Sequence, residues 1–165
     1  MRKIIGCLLV IAFMAGSCLK KENGCRFNDT NVVAPANEVA MVESYLSANS
    51  ITTATKHPSG MYYQVISLGA GGTPHLCSQV QVAYVGKLTN GTIFDQSSSE
   101  VFTLGGLIEG WKKGIPLIQK GGSIKLYIPP TLGYGQADVK DPNTNAIVVP
   151  ANSVLVFEIT LSDIG

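Results

Sequence analysis

The chain has 165 residues, with 12 Lys and Arg against 11 Asp and Glu, so its formal net charge at pH 7 is +1. This near balance, without any run of basic residues, argues against nucleic acid as a partner. Hydrophobic residues make up 45% of the chain, which is enough for one domain with a buried core.

The first residues have the pattern of an export signal. A basic start precedes an uncharged apolar segment, residues 4–15, and small residues then lead into Cys18. This order is typical of a secretory signal peptide, and the apolar run is shorter than the roughly 20 residues of a membrane-spanning helix. The site resembles a bacterial lipobox, with Ala15 where Leu is usual. We expect residues 1–17 to be the signal peptide and Cys18 to carry the lipid anchor of a cell-envelope protein; ordinary secretion without lipid is the alternative.

A polar segment and a helix are predicted next. Residues 18–35 have no apolar pattern and are interpreted as a tether. Apolar residues recur at helical spacing within residues 36–49, and an isolated helix of this length is marginal in water, so we expect it to pack on the main domain. Residues 36–57 are therefore predicted to be a helical extension and connector, and residues 58–165 to be the main domain.

Two cysteines, Cys25 and Cys77, follow the predicted signal peptide. In an oxidising compartment an even pair predicts a disulfide, which would join the N-terminal segment to the domain. Two unrelated thiols are the alternative. The absence of a C-x-x-C motif argues against redox catalysis and zinc binding. The two histidines, His57 and His75, each lie beside a proline and have no partner in a recognisable catalytic triad, so we expect them to be exposed loop residues.

From residue 60 onwards, alternating apolar residues separated by glycine turns predict β-strands. Asn90-Gly91 is a strong hairpin signal. Apolar residues between Leu107 and Ile115 fall at helical spacing, and Pro116 restricts that helix to a short one. Several strands with one central helix predict an α+β fold, an antiparallel sheet curled around the helix. The alternating residues are Met61, Tyr63 and Val65; Val80, Val82 and Tyr84; Ile124, Leu126 and Ile128; and Leu155, Phe157, Ile159 and Leu161.

Seven short motifs follow one another in the same region. They are Val82-Ala83-Tyr84-Val85-Gly86, Gly91-Thr92-Ile93-Phe94-Asp95, Gly110-Trp111, Gly121-Gly122, Tyr127-Ile128-Pro129-Pro130, Gly133-Tyr134-Gly135 and Leu155-Val156-Phe157-Glu158. In this order they resemble the FK506-binding-protein (FKBP) type of peptidyl-prolyl cis-trans isomerase, here in a bacterial lipoprotein form. The resemblance implies about five antiparallel strands around one short helix, an apolar pocket between them, and neither cofactor nor metal.

The resemblance also implies roles for individual residues. Trp111 would form the pocket floor, the backbone N–H of Ile108 and the hydroxyl of Tyr134 would donate to the bound peptide, and Asp95 would lie beside the twisted amide. The implied catalytic residues are Tyr84, Asp95, Ile108, Trp111 and Tyr134, and the implied substrate-binding residues are Phe94, Phe102, Leu107, Val149 and Phe157.

Such residues suit the rotation of an X–Pro bond, which breaks no bond and needs no nucleophile. We therefore expect an isomerase that acts on proline-containing polypeptides outside the cytoplasm, preferring apolar residues before proline. The resemblance also implies macrolide ligands as partners, with an affinity that the sequence leaves open. A non-catalytic peptide-binding chaperone and a purely structural surface lipoprotein are the alternatives. Ser99-Glu100 and the long polar segment 136–149 depart from the family pattern and leave the substrate preference open.

Overall fold

The computed structural model describes residues 25–165; residues 1–24, with the predicted signal peptide and Cys18, lie outside the described residues. Within the described part, six strands form one antiparallel sheet in the order β1-β2-β5-β8-β3-β4, and β6 and β7 form a separate pair. The elements are α1 (Ala36–Ala48), β1 (Thr55–Lys56), β2 (Tyr62–Ser67), β3 (Gln79–Leu88), β4 (Ile93–Thr103), α2 (Glu109–Gly114), β5 (Ser123–Ile128), β6 (Val139–Lys140), β7 (Ile147–Val149) and β8 (Leu155–Ile164).

The main sheet curls around α2 because two glycines let that helix approach the sheet closely. A Cβ atom on Gly110 would lie 2.5 Å from Ile128, and one on Gly114 would lie 2.6 Å from Leu126. Both partner residues belong to β5 and are fully buried. The helix ends at Gly114 and continues as a single 3-10 turn through Pro116, as expected from the missing N–H of proline. The predicted α+β fold is therefore confirmed.

Two details of the sheet differ from the sequence-based prediction. The main sheet has six strands, where about five were predicted, because the two-residue β1 pairs with Tyr62 and Tyr63 of β2. Since β1 falls within the predicted helical extension and connector, residues 36–57, the sheet begins before residue 58, where the main domain was predicted to start.

The hairpin is found where Asn90-Gly91 predicted it, between β3 and β4, with Gly91 at a φ of 86°.

The helix α1 packs on the outer side of the main sheet. Its residues Val42 and Leu46 form a buried cluster with Tyr127 of β5 and with Val154 and Val156 at the start of β8. This apolar contact is what an amphipathic helix of this length needs for stability. None of the helices among residues 25–165 combines the length and apolar character that a membrane span requires.

The structure differs from the predicted tether at residues 25–34. This strap, as we call residues 25–34, has no helix or strand, but it is fixed to the domain along its length. At its beginning Cys25 is bonded to Cys77, with the two Cα atoms 5.6 Å apart. The ring of Phe27 covers Gly105 so closely that a Cβ atom there would overlap the ring. The sequence predicted a tether joined to the domain by the disulfide, and the other contacts are made by single side chains that leave no pattern.

Further along the strap, polar contacts reach the first turns of α2. The hydroxyl of Thr30 donates to Glu109 at 2.5 Å, and the ammonium group of Lys113 donates to the Thr30 carbonyl at 2.6 Å. The strap then leads into α1 through Ala34, whose N–H donates to the carbonyl of Ser59 at 2.9 Å. The strap and α1 therefore surround the domain from two sides.

Candidate active site

A cavity of about 150 Å³ opens between α2 and the concave face of the main sheet. It is much smaller than the roughly 300 Å³ at the lower end of sites for drug-sized ligands, and it suits one small side chain. Eight of the ten residues assigned from the sequence line it: Tyr84, Asp95, Phe102, Leu107, Ile108, Trp111, Tyr134 and Phe157.

Trp111 forms one side of this cavity and is only 4% exposed. The close approach of Gly110 to β5 turns the next residue of the helix towards the other strands. The indole ring then meets Tyr84 at 5.1 Å, Phe157 at 5.2 Å and Phe102 at 6.0 Å between ring centroids, each edge to face. Such edge-to-face contacts fix the orientation of a ring. The indole Nε1 is buried and has no hydrogen-bond partner within the described residues.

Tyr84 and Asp95 form the polar pair of the site. They lie on the neighbouring strands β3 and β4, and the Tyr84 hydroxyl donates to Asp95 Oδ2 at 2.9 Å. Burial raises the pKa of Tyr84 well above its usual value, and the hydrogen bond to Asp95 and the charges of Asp95 and Glu100 raise it further. The tyrosine is therefore neutral, and its proton is directed at the carboxylate.

Ile108 is the residue before the first turn of α2. Its extended backbone, with φ −61° and ψ 153°, leaves its carbonyl to accept from Trp111 and Lys112. Its own N–H has no acceptor among residues 25–165. A backbone donor without a partner at the edge of an apolar cavity is available to a carbonyl group of a bound peptide.

Tyr134 lies across the cavity from α2, on the turn that follows β5. Its ring is 38% exposed and packs edge to face on Phe94, with 6.3 Å between centroids. Burial and the nearby charge of Asp95 raise the pKa of its hydroxyl. That hydroxyl makes no hydrogen bond to any residue in the described part of the chain, so it is a second donor available at the rim.

Two residues that were expected to bind substrate do not line the cavity. Val149 is 1% exposed and belongs to the core, because β7 pairs with β6 and places it opposite Val139. Phe94 stands one layer behind the cavity wall, between Tyr134 and Phe157, and lies 5.5 Å from the latter. The structure thus gives Val149 a packing role and makes Phe94 a support for the residues that line the cavity.

Gly86 is the contributor to the site that sequence reasoning left without a role. A Cβ atom at this position would lie 2.7 Å from Phe157 and 2.8 Å from Phe94. Glycine inside a strand often marks a close approach of another group, and this was the available signal, since Gly86 belongs to the first of the seven motifs. Its lack of a side chain allows the two phenylalanine rings to pack against β3.

The chemistry of the site follows from its composition. The eight lining residues include no histidine, cysteine or serine, so the site offers apolar surface, a few hydrogen-bonding groups and one carboxylate. Within residues 25–165 no cluster of three His, Cys, Asp or Glu side chains could hold a metal ion. His57 lies outside the cavity and is half-buried, and its Nδ1 accepts from the Ser59 N–H. This arrangement is suited to binding and reshaping a substrate.

Comparison with known proteins gives the same family as the motifs. The sequence profile of the FKBP-type peptidyl-prolyl cis-trans isomerases matches residues 71–162. The chain is 42% identical over 110 residues to the FKBP-type peptidyl-prolyl cis-trans isomerase FkpA of Escherichia coli K12, an alignment that covers 64% of this chain and 38% of the relative. It is 37% identical over 111 residues to a probable FKBP-type isomerase of Haemophilus influenzae, covering 65% of this chain and 44% of the relative.

Solved structures give a consistent result. The crystal structure of E. coli FkpA matches with a TM-score of 0.66 and 35% identity, over 78% of this chain and 60% of that one. A peptidyl-prolyl cis-trans isomerase from Pseudomonas syringae matches with a TM-score of 0.66 and 27% identity, over 80% of this chain and 97% of that one. The chain spans less than half the length of the two relatives compared by sequence. With a family profile matched over more than half of its residues, this chain belongs to the FKBP-type peptidyl-prolyl cis-trans isomerase family.

Proposed function

We propose that this chain is a peptidyl-prolyl cis-trans isomerase that accelerates X–Pro bond rotation in exported polypeptides. The observation that carries the proposal is a cavity of about 150 Å³ walled by aromatic rings. At its edge the Ile108 N–H and the Tyr134 hydroxyl are donors without an acceptor among residues 25–165. A proline ring is a small apolar group of suitable size for this cavity. The donors of Ile108 and Tyr134 would then reach the carbonyl groups on either side of the ring.

The physical basis of catalysis is differential binding of the twisted amide. Rotation about a peptide bond faces a barrier of about 18–20 kcal/mol, because the planar form is stabilised by resonance. Charge separation in the planar amide is supported by water, and an apolar cavity removes that support. The twisted amide is less polar and loses less on transfer. Donors that fit the carbonyl only in the twisted geometry add stabilisation specific to the transition state.

Asp95 has an electrostatic and orienting role in this proposal. Its carboxylate accepts the hydrogen bond of Tyr84, which fixes that ring against Trp111. Because isomerisation transfers no proton, a fixed negative charge beside the rotating amide is sufficient. The carboxylate can interact with the carbonyl carbon, whose partial positive charge is no longer offset by the nitrogen lone pair once the resonance is lost.

We further propose that the protein is exported and anchored by a lipid on Cys18, either facing the periplasm or exposed on the surface. The signal-like sequence before Cys18 supports this location, and the bond between Cys25 and Cys77 suits an oxidising compartment. If Cys18 is acylated, two or more acyl chains give a stable anchor without any spanning helix. Mass spectrometry of the mature N-terminus tests the proposal, and a mature chain that begins at another residue without lipid contradicts it.

A protease-coupled isomerisation assay on a proline-containing tetrapeptide tests the activity. We expect Trp111→Leu and Tyr134→Phe to lower kcat/KM, and Tyr45→Phe to leave it unchanged, since Tyr45 packs on the far side of the sheet against Tyr127. A macrolide of the kind after which the family is named should inhibit the wild-type protein.

A matched binding measurement separates the isomerase from a chaperone. A proline-containing peptide is titrated into the wild-type protein. Binding of the peptide without any acceleration of its isomerisation would replace the catalytic proposal with a peptide-binding role. Equal, uncatalysed rates for the wild type and for Trp111→Leu, without peptide binding, would leave only a structural role.

A further inference from the structure

A buried carboxylate connects α1 to the turn that carries Tyr134. Glu38 is in the first turn of α1 and is only 9% exposed. Its Oε2 accepts from the Thr131 N–H at 2.7 Å, and its Oε1 accepts from the Thr131 hydroxyl at 2.8 Å. Both oxygens of one carboxylate are thus directed at a single residue that lies 93 positions further along the chain. Hydrogen bonds to a charged acceptor are the stronger ones in proteins.

Thr131 lies in a tight turn immediately before the active-site tyrosine. Pro130–Leu132 form one turn of 3-10 helix after β5. The N–H groups of Gly133 and Gly135 both donate to the Pro130 carbonyl at 2.9 Å, so Tyr134 stands between two bonds to the same acceptor. Gly135 then accepts from the N–H of Asn152 at 2.8 Å. The position of the Tyr134 backbone therefore depends on how this turn is held.

Glu38 gives Thr131 a hydrogen-bond acceptor that the backbone of the turn does not provide. The first N–H groups of a helical turn have no partner within that turn. Thr131 itself is exposed, and Glu38 supplies the acceptor that its N–H lacks within the turn. The helix that supplies the carboxylate is itself fixed, because Val39 lies against Gly60, where a Cβ atom would be 2.8 Å from it, and Val42 is fully buried. The turn is thus attached to a rigid support outside the sheet.

We propose that Glu38 is a positioning residue for isomerisation, which fixes the Tyr134 hydroxyl over the cavity through its two hydrogen bonds to Thr131. The proposal rests on the proposed function, in which that hydroxyl donates to the bound peptide. It makes α1 a part of the catalytic framework and not only a cover for the outer side of the sheet.

A double-mutant cycle between Glu38 and Tyr134 tests the proposal. We expect Glu38→Ala to lower kcat/KM for the tetrapeptide about 10-fold, since displacement of a catalytic group by about 1 Å can cost up to 100-fold. In the Tyr134→Phe background the same substitution should change kcat/KM by less than about two-fold, because coupled residues are not additive. Each value is referred to the concentration of folded protein, measured by active-site titration and circular dichroism.

Glu43 provides the matched control on the same helix. Its carboxylate also accepts two hydrogen bonds, from Lys56 at 3.0 Å and from Tyr62 at 2.7 Å, but these partners are on β1 and β2, away from Tyr134. We expect Glu43→Ala to leave kcat/KM unchanged. Amide hydrogen exchange of Gly133 and Gly135 should accelerate in Glu38→Ala and not in Glu43→Ala.

Two outcomes overturn the inference and are distinguishable. If Tyr134→Phe alone keeps the wild-type kcat/KM, the proposed role of the hydroxyl is wrong and the role of Glu38 is wrong with it. If Tyr134→Phe lowers kcat/KM but Glu38→Ala has the same effect in both backgrounds, only the inference is overturned. If Glu38→Ala does not fold, Thr131→Val removes one of the two bonds and should lower kcat/KM. Thr131→Ser keeps both bonds and should have the wild-type kcat/KM.

Discussion

Gly86 allows a sharp test of how the aromatic rings support the cavity. It lies in β3 opposite Asp95 and Phe157, and its φ is outside the left-handed region, so alanine meets only a steric obstacle. The added Cβ atom would be 2.7 Å from Phe157 and 2.8 Å from Phe94. Since carbon atoms pack best at about 3.5–4.0 Å, each ring must move by about 1 Å in Gly86→Ala.

The displacement reaches both sides of the site. Phe157 is 2% exposed and cannot turn towards solvent, so its movement presses on Trp111, whose ring centroid is 5.2 Å away. Phe94 presses in the same way on Tyr134. Overpacking of this kind costs about 1–3 kcal/mol of unfolding free energy. A shift of about 1 Å in catalytic groups can cost up to 100-fold in rate, so we expect kcat/KM to fall about 10- to 100-fold.

The assay compares Gly86→Ala with Gly72→Ala. At Gly72 nothing lies within 4 Å of the added Cβ atom and its φ is also outside the left-handed region. We expect Gly72→Ala to keep the wild-type kcat/KM and the wild-type urea unfolding midpoint. If Gly86→Ala were folded and equal to Gly72→Ala in kcat/KM, the rings would not transmit the displacement, and the reasoning would be wrong.

Three further predictions concern the disulfide and two tyrosines. Replacing Cys25 and Cys77 by Ser should lower the free energy of unfolding by up to about 4 kcal/mol, the chain-entropy value for a loop closed across 52 residues; equal urea midpoints for the variant and the wild type would contradict this. Burial raises the pKa of Tyr127 from 10.0 to about 12. The neutral tyrosine therefore stabilises the fold fully below pH 10, and this contribution is lost as the pH rises from 10 to 12. In Tyr127→Phe the urea midpoint should decline less over this pH range than it does in the wild type. Burial and the charge of Asp95 raise the pKa of the Tyr134 hydroxyl, so any alkaline decline of kcat/KM should have its midpoint above pH 10, the ordinary tyrosine value. A decline centred below that pH would contradict this.

Much of the cavity could be predicted from the sequence because five of its eight lining residues lie within the seven short motifs. Strand alternation places Tyr84 on the same face as its neighbours Val80 and Val82, and the spacing after Gly110 directs Trp111 towards them. Such local patterns are set by the period of the strand or helix. The resemblance then supplied the roles, and eight of the ten assigned residues line the cavity.

The remaining features depend on contacts between distant residues. The resemblance implied that Val149 lines the cavity, but pairing of β7 with β6 places it in the core. Apart from the predicted disulfide, the contacts of the strap could not be predicted because they are made by single side chains such as Phe27 and Thr30. The hydrogen bonds between Glu38 and Thr131 join residues 93 positions apart, and no local sequence pattern predicts them. Long-range contacts of this kind are visible only in the folded molecule.

The N-terminal segment contacts the site at the two elements that carry its unpaired donors. The strap donates through Thr30 to Glu109, the residue next to Ile108, and α1 accepts through Glu38 from the turn before Tyr134. The family profile begins at residue 71, so both contacts come from residues outside the matched segment. Catalysis by differential binding requires that donors be fixed before the substrate rotates, because a donor that moves follows the planar and the twisted amide equally well. A segment that restrains both donors from outside the profile-matched residues 71–162 can therefore adjust the rate without any change in the residues that line the cavity.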